Sequence, residues 1–437
     1  MNRRSCFALI WIAACARGPV PDAPSPPMVS VSRADADASA VAVAEAEAES
    51  PPAASAAPAA QTQSPTQTDG EAPAANGAPI LPDEGANFVE EVRVLFRVAT
   101  CGGTADVPAR FDADVVERHC DELRRAYSDY TKSWFDVARP FIAALQPQGL
   151  PMVVVYPFGG GDLVSALATF PGATEITTIS LEPAGDVRLV DLLAPDHLTR
   201  ELSAHRAHLE RLFLKAHSRT ENLEKGAQSE LPGEVVFDLA AIALLGGEPV
   251  GLRYFRINPD GALAYVTQDD IDAQAHHPKA LRALFDDVEL RYRLNADPAT
   301  VVRVLRHVAF NLDDEHLKAN GALLAHLTAK GKVAAMTKAA THLLWNDHFG
   351  LIRGWLIEHT DWMISDSTGI PPRFAQPAGY VQDTYGTFDG PAPFGAPNAR
   401  DANDFKRLFA SQPTRELSFR YGYPDKDGHA HMIVTHR

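Results

Sequence analysis

The chain reads as an α/β (or α+β) protein with a mixed sheet, and three observations predict that class. "MVVVYPFGGGDLVSALATFPGATEITTISL" runs from an apolar stretch through a glycine turn and an amphipathic segment to a second apolar stretch. Strand, helix and strand within about 30 residues is a βαβ unit with a parallel pair. "VGLRYFRINPDGALAYV" carries the alternation and turn residues of a hairpin. Several segments with apolar residues at helical spacing supply covering helices.

In chain order, "MNRR" places Arg3 and Arg4 ahead of the apolar "CFALIWIAA", the layout of a secretory leader over residues 1–14. Residues 15–87 are rich in Ala, Pro, Ser, Thr, Gln and acids, without Phe, Trp or Tyr from Ala16 to Asn87. Such a stretch cannot bury enough apolar area to offset chain entropy, so it is expected to be a disordered tether. As a coil of about 70 residues it would reach ~45 Å on average.

Residues 88–437 are expected to be globular, as one large domain or two close lobes. "NFVEEVRVLFRVA" is rich enough in β-branched residues for a strand. Residues 112–145 read as one long or two consecutive helices, with Val115, Val116, His119, Leu123, Tyr127 and Tyr130 at helical spacing. Met152 to Phe158 is a continuous apolar run, as for a strand covered on both faces. Asp162 suits the cap of the next helix, whose inner face is Leu163, Ala166, Leu167 and Phe170. The returning strand ends at Glu182. Pro259 and Gly261 turn the hairpin, and "VELRYRL" and "VVRVLRHVAF" read as further strands. Helices are expected over 316–331, 336–345 and 347–360, the last with Ile352, Trp355, Leu356 and His359 on one stripe. "LSFRYGY", a "PDKDG" turn and "HAHMIVTH" make a C-terminal hairpin.

The net charge of −16 opposes nucleic acid and anionic lipid as electrostatic partners. No run of 18 apolar residues predicts a membrane-spanning helix. Of the four cysteines, Cys101 and Cys120 form an even pair in the folded part. They read as a disulfide, because no CxxC or HxxxH nearby supports a metal. Closing a loop of about 20 residues contributes roughly 3 kcal/mol in the chain-entropy model.

Candidate chemistry is sparse. Gly159-Gly160-Gly161-Asp162 lacks the GK[ST] of a phosphate loop, and Val164 stands where GxGxxG needs its last glycine. It reads as a tight corner, with a polar active-site turn and an anion cradle as the functional alternatives. Asp366, Ser367 and Thr368 form a polar knot ahead of Gly369, without the GxSxG of a nucleophile elbow. Of the 16 histidines, His429 and His431 are predicted on one strand face, but no third ligand accompanies them. No metal or cofactor is expected.

"IAAC", behind the basic and apolar leader, resembles the lipobox of bacterial lipoproteins. That resemblance makes Ile12, Ala13 and Ala14 the lipobox and Cys15 the acylated first residue of the mature chain. It implies acyl chains such as palmitate and attachment to a membrane of the cell envelope. Ala16, not Asp, follows, which in a Gram-negative cell implies the outer membrane. The folded part resembles uncharacterised bacterial lipoproteins that share its Tyr-Pro-Phe turn, Leu-Glu-Pro strand end and Gly-Ile-Pro loop. In those proteins the turn carries Ser-Gly-Pro, and the resemblance supplies no activity. The expectation is a lipid-anchored envelope protein whose domain is a non-catalytic binding or structural module. The alternative is a hydrolase-like enzyme using Asp162, Glu182, Asp366 and Ser367 at the strand ends. The membrane, through the lipid, is the expected partner.

Overall fold

In a computed structural model of the chain, the described residues are 84–215, 230–294, 299–392 and 398–437. The leader, Cys15 and the tether up to residue 83 lie outside them. The last four residues assigned to the tether are fixed. Ala86 N–H donates to Val266 O at 2.9 Å, and Asn87 Oδ1 accepts from Leu252 N–H at 3.2 Å.

Ten strands form one mixed sheet, ordered β4-β3-β5-β6-β2-β1-β7-β8-β10-β9. The strands are β1 Val153–Pro157, β2 Glu175–Ser180, β3 Glu248–Ile257, β4 Leu263–Tyr265, β5 Asp287–Arg293, β6 Arg303–Ala309, β7 Val333–Thr337, β8 Thr360–Ser365, β9 Val381–Gly386 and β10 His431–His436. The five central strands, β6-β2-β1-β7-β8, are parallel. Antiparallel strands extend both flanks. The predicted βαβ unit is present as β1, α1 (Leu163–Thr169) and β2.

Both faces of the centre are buried, as the unbroken apolar runs require. Val154, Tyr156, Ile176 and Met336 face one apolar cluster, and Val155, Ile179 and Ala335 face another. The first cluster includes α1 and α2 (Gly233–Leu244); the second includes α3 (Ala322–Ala329) and α4 (Gly350–His359). Of the expected stripe of α4, Ile352, Trp355 and Leu356 are buried, while His359 at the helix end is half-buried.

Several expectations need correction. Val89–Val98 is a helix, not a strand. Val92, Leu95 and Phe96 sit on its buried side, and Glu90, Glu91 and Arg97 complement its dipole. Burial at helical spacing outweighs the β-branched content. The predicted helix over 316–331 is two, Asp314–Ala319 and α3, because Asn320 is extended and its Oδ1 accepts Ala322 N–H at 3.1 Å. The predicted helix over 336–345 is the end of β7 followed by a contorted turn. Its five residues Val333–Thr337 are all buried between β1 and β8, where an alanine-rich segment must run extended. The C-terminal hairpin does not form: "LSFRYGY" is no strand, and β10 slots between β8 and β9 instead. His431 lies in β10 while His429 lies in the preceding turn, so the pair does not share a strand face. The helical stretch over 112–145 divides into Ala113–Tyr130 and Asp136–Ala143 around a π-turn.

Cys101 and Cys120 are bonded, with Cα atoms 5.3 Å apart. The disulfide ties the segment just after Val89–Val98 to the middle of Ala113–Tyr130. Among the described residues no helix is long and apolar enough to cross a membrane.

Candidate functional site

The sheet fixes where a site belongs. From β1 the chain winds to β2 and on to β6, then crosses to β7 on the other side of β1. The order reverses between β1 and β7, and open α/β sheets bind ligands at the C-terminal ends of strands at such a switch point. Backbone strain gathers there. Phe158 after β1, and Ala339, Thr341 and His342 after β7, all have φ between +48° and +63°. These side chains have a Cβ, so each position costs free energy that packing must hold.

Asp162 caps α1, with Ser165 N–H donating to its Oδ1 at 3.4 Å. It also carries an ion pair across the switch point, since Lys338 Nζ lies 2.9 Å from Oδ2. Tyr156 OH donates to the same oxygen at 3.1 Å, and Lys338 reaches Ser165 Oγ at 2.6 Å. Lys338 is 4% and Asp162 8% exposed. This is a filled corner, with the predicted cap in place.

Asp366 is fully buried and fully used. Its Oδ1 accepts Thr368 N–H at 2.8 Å and the Thr368 hydroxyl. Its Oδ2 accepts Ala339 N–H at 3.0 Å and Tyr423 N–H at 2.8 Å. The carboxylate therefore ties the ends of β7 and β8 to the C-terminal segment. Ser367 is buried, and its carbonyl accepts Trp345 Nε1–H at 2.9 Å. Two of the three acids singled out for chemistry, Asp162 and Asp366, are spent on structure.

Glu182 differs. It follows β2 between the exposed Leu181 and Pro183, and it is 8% exposed itself. Its carbonyl accepts from His307 Nε2 at 2.8 Å, but its Oε1 is buried without a hydrogen-bond partner. The His307 Nδ1 contact to Thr178 Oγ1 at 3.1 Å completes a clamp on the strand end.

The structure places beside this end two acids that sequence reasoning missed. Glu234 and Asp238 lie one turn apart on α2 and are 2% and 1% exposed. Glu234 receives the Gly161 N–H, yet its Oε2 has no partner, and neither oxygen of Asp238 has one. Burial, with Glu182 and Asp238 adding repulsion, pushes the Glu234 carboxyl well above the usual range. Burial and Asp162 do the same to Asp238. A sign was present in "GEVVFDLAAIAL": two acids four residues apart in a segment that is otherwise apolar on every side. Such a helix is buried all round, so its acids must be buried with it.

A second acidic group joins Asp389, Asp425, Asp427 and His429, with one ligand atom from each within 4.8 Å of the others. Asp425 already accepts N–H groups from Asp389, Asp427 and His429 at 2.8 to 3.0 Å, so the group serves the "PDKDG" turn.

No family model, curated protein or solved structure matches the chain.

Proposed function

We propose that this is a lipid-anchored envelope protein whose folded part is a non-catalytic module that binds a nucleoside-class ligand over the ends of β1, β2 and β7. Glu182 carries the binding half of that reading. It stands 21 positions after Gly161 (182 − 161), at the end of β2, with a buried oxygen lacking a donor. In doubly wound sheets an acid about 20 residues past the glycine turn, at this place, accepts the ribose hydroxyls. A ribose diol supplies the O–H donors that Glu182 lacks, and a buried carboxylate left without them is costly. Asp162 and Asp366, two of the residues the hydrolase alternative would use, are held in structural contacts. The anchor half rests on the leader, Cys15 and the tether, whose length lets a bound domain search tens of ångströms from a membrane.

Two experiments test it. Cys15→Ser should move the full chain from the membrane fraction to the soluble fraction of the expressing cell; retention in the membrane would reject the lipid anchor. A thermal melt of the full chain with adenosine at a hundredfold excess over its Kd should show stabilisation by ~2.7 kcal/mol. No shift with adenosine, guanosine, cytidine or uridine at millimolar concentration would reject the nucleoside reading.

A further inference from the structure

A cavity of about 570 Å³ opens at the N-terminal ends of β1, β7 and β8, the opposite ends from the switch point. That volume lies within the range of small-molecule sites. One wall is the loop over 145–151 that leads into β1, and the other is the face of β8, β10 and β9 that carries Trp362 and Tyr385. Lys332, ahead of β7, and Arg437, after β10, line it and are partly exposed. The walls are fixed by contacts of their own. Gln146 gives its amide N–H to Thr169 O, which ties the loop to α1. Trp362 packs edge-on against Phe170, with ring centroids 5.8 Å apart, and Tyr385 edge-on against Phe141 at 5.7 Å.

Donors are in surplus around this cavity. Trp134, Trp345 and Trp355 each give their indole N–H to the protein, at 2.7, 2.9 and 3.1 Å. Trp362 is only 3% exposed, yet among the described residues no acceptor takes its indole N–H. Asp361 pairs with Lys332 at 2.9 Å and with Arg437 at 3.7 Å. Asp383 pairs with Arg415 at 3.0 Å and accepts from His436 at 2.9 Å. Lys332, Arg437 and Arg415 thus face two carboxylates, an excess of one positive charge in a chain of net charge −16. Each carboxylate already holds two bases, so neither is left over for a cationic ligand. Leu150, Pro151 and Val434 make the lining between these groups apolar. We infer that this cavity is a second binding site and takes an aryl carboxylate. Its flat ring sits between the loop over 145–151 and the aromatic wall, where offset and edge-on ring contacts are favourable. Its carboxylate accepts the Trp362 N–H, a buried donor that is costly to leave unmet, and answers the charge of Lys332 and Arg437.

The test is a calorimetric titration of the full chain at pH 7.5 with 4-phenylbutyrate, 4-phenylbutan-1-ol and 4-phenylbutylamine, which share ring and chain and differ in the charge of the head group. A hydrogen bond to a charged group is worth about tenfold in affinity or more. The acid should therefore bind at least about tenfold more tightly than the alcohol, with the amine weakest. Trp362→Phe keeps a ring and removes the N–H, and Lys332→Met removes a charge from a half-exposed side chain. Each should weaken the acid by roughly fivefold or more and leave the alcohol unchanged, and a melt of each variant checks that it is folded. Equal affinity for acid and alcohol would overturn the inference. So would failure of the acid to bind at millimolar concentration, or acid binding that stays at the wild-type level in folded Lys332→Met.

Discussion

A buried carboxylate survives by finding donors, finding a cation or keeping its proton, and this corner uses all three. Asp366 finds four donors, Asp162 finds Lys338, and Glu234 and Asp238 are pushed toward the protonated form. Breaking one partner of a buried pair strands the other, at a cost of ~3–5 kcal/mol. Lys338→Met should therefore lower stability by about that amount in denaturant unfolding, and Asp162→Asn in the same chain should restore part of it. Equal losses in the single and double variants would show that the pair is not coupled. Asp287 offers a test of proton linkage. Burial raises its carboxyl to about 7, although the Ala309 N–H donated to it at 2.9 Å pulls the other way. Because the folded state holds this proton more tightly than the unfolded chain, its penalty is absent at pH 4 and grows as pH rises toward 7. Asp287→Asn should gain about 2–3 kcal/mol relative to wild type between pH 5 and pH 8. A difference that stays flat with pH would contradict the assignment.

At the scale of elements, the Asp366 knot shows how a loop is made rigid. Removing the carboxylate leaves the N–H groups of Ala339, Thr368 and Tyr423 without an acceptor. Each such orphan costs about 1–3 kcal/mol. Asp366→Ala should thus cost at least ~3 kcal/mol, and Asp366→Asn, which keeps one acceptor, should cost less; a loss under 1 kcal/mol for the alanine would refute the knot. Legibility in the sequence follows physical locality. The strand, turn and helix from Val153 to Phe170 were readable because both periods and the Asp162 cap are local. The helix Val89–Val98 is not legible, because its β-branched content is local and points to a strand, whereas the burial that decides it is not local. β8 and β9 carry no local strand signal, so the sequence points β10 to "LSFRYGY", whereas its neighbours are Thr360–Ser365 and Val381–Gly386.

At the scale of the whole molecule, the α/β class and the parallel pair were legible, while the switch point was not. It depends on the crossing from β6 to β7, and the sequence pattern of 336–345 points to a helix that overlaps the end of β7. The candidate site was legible by half. Glu182 and Asp162 stand where strand ends and caps put them, but the role of each depends on partners 50 to 180 positions away. Lys338, Glu234 and Asp238 enter only once the sheet is assembled. The disulfide pairing was legible from the even pair of cysteines in the folded part, and the bonded Cys101 and Cys120 agree with it.

The central claim is that Glu182 holds a ribose diol. Titration of the full chain with adenosine and 2′,3′-dideoxyadenosine tests it most directly, in wild type and in Glu182→Gln. The account predicts that the dideoxy compound binds about 10- to 100-fold more weakly to wild type, the worth of a hydrogen bond to a charged group. It predicts that the gap shrinks to a few-fold in the variant. Equal affinity of wild type for the two compounds would contradict it.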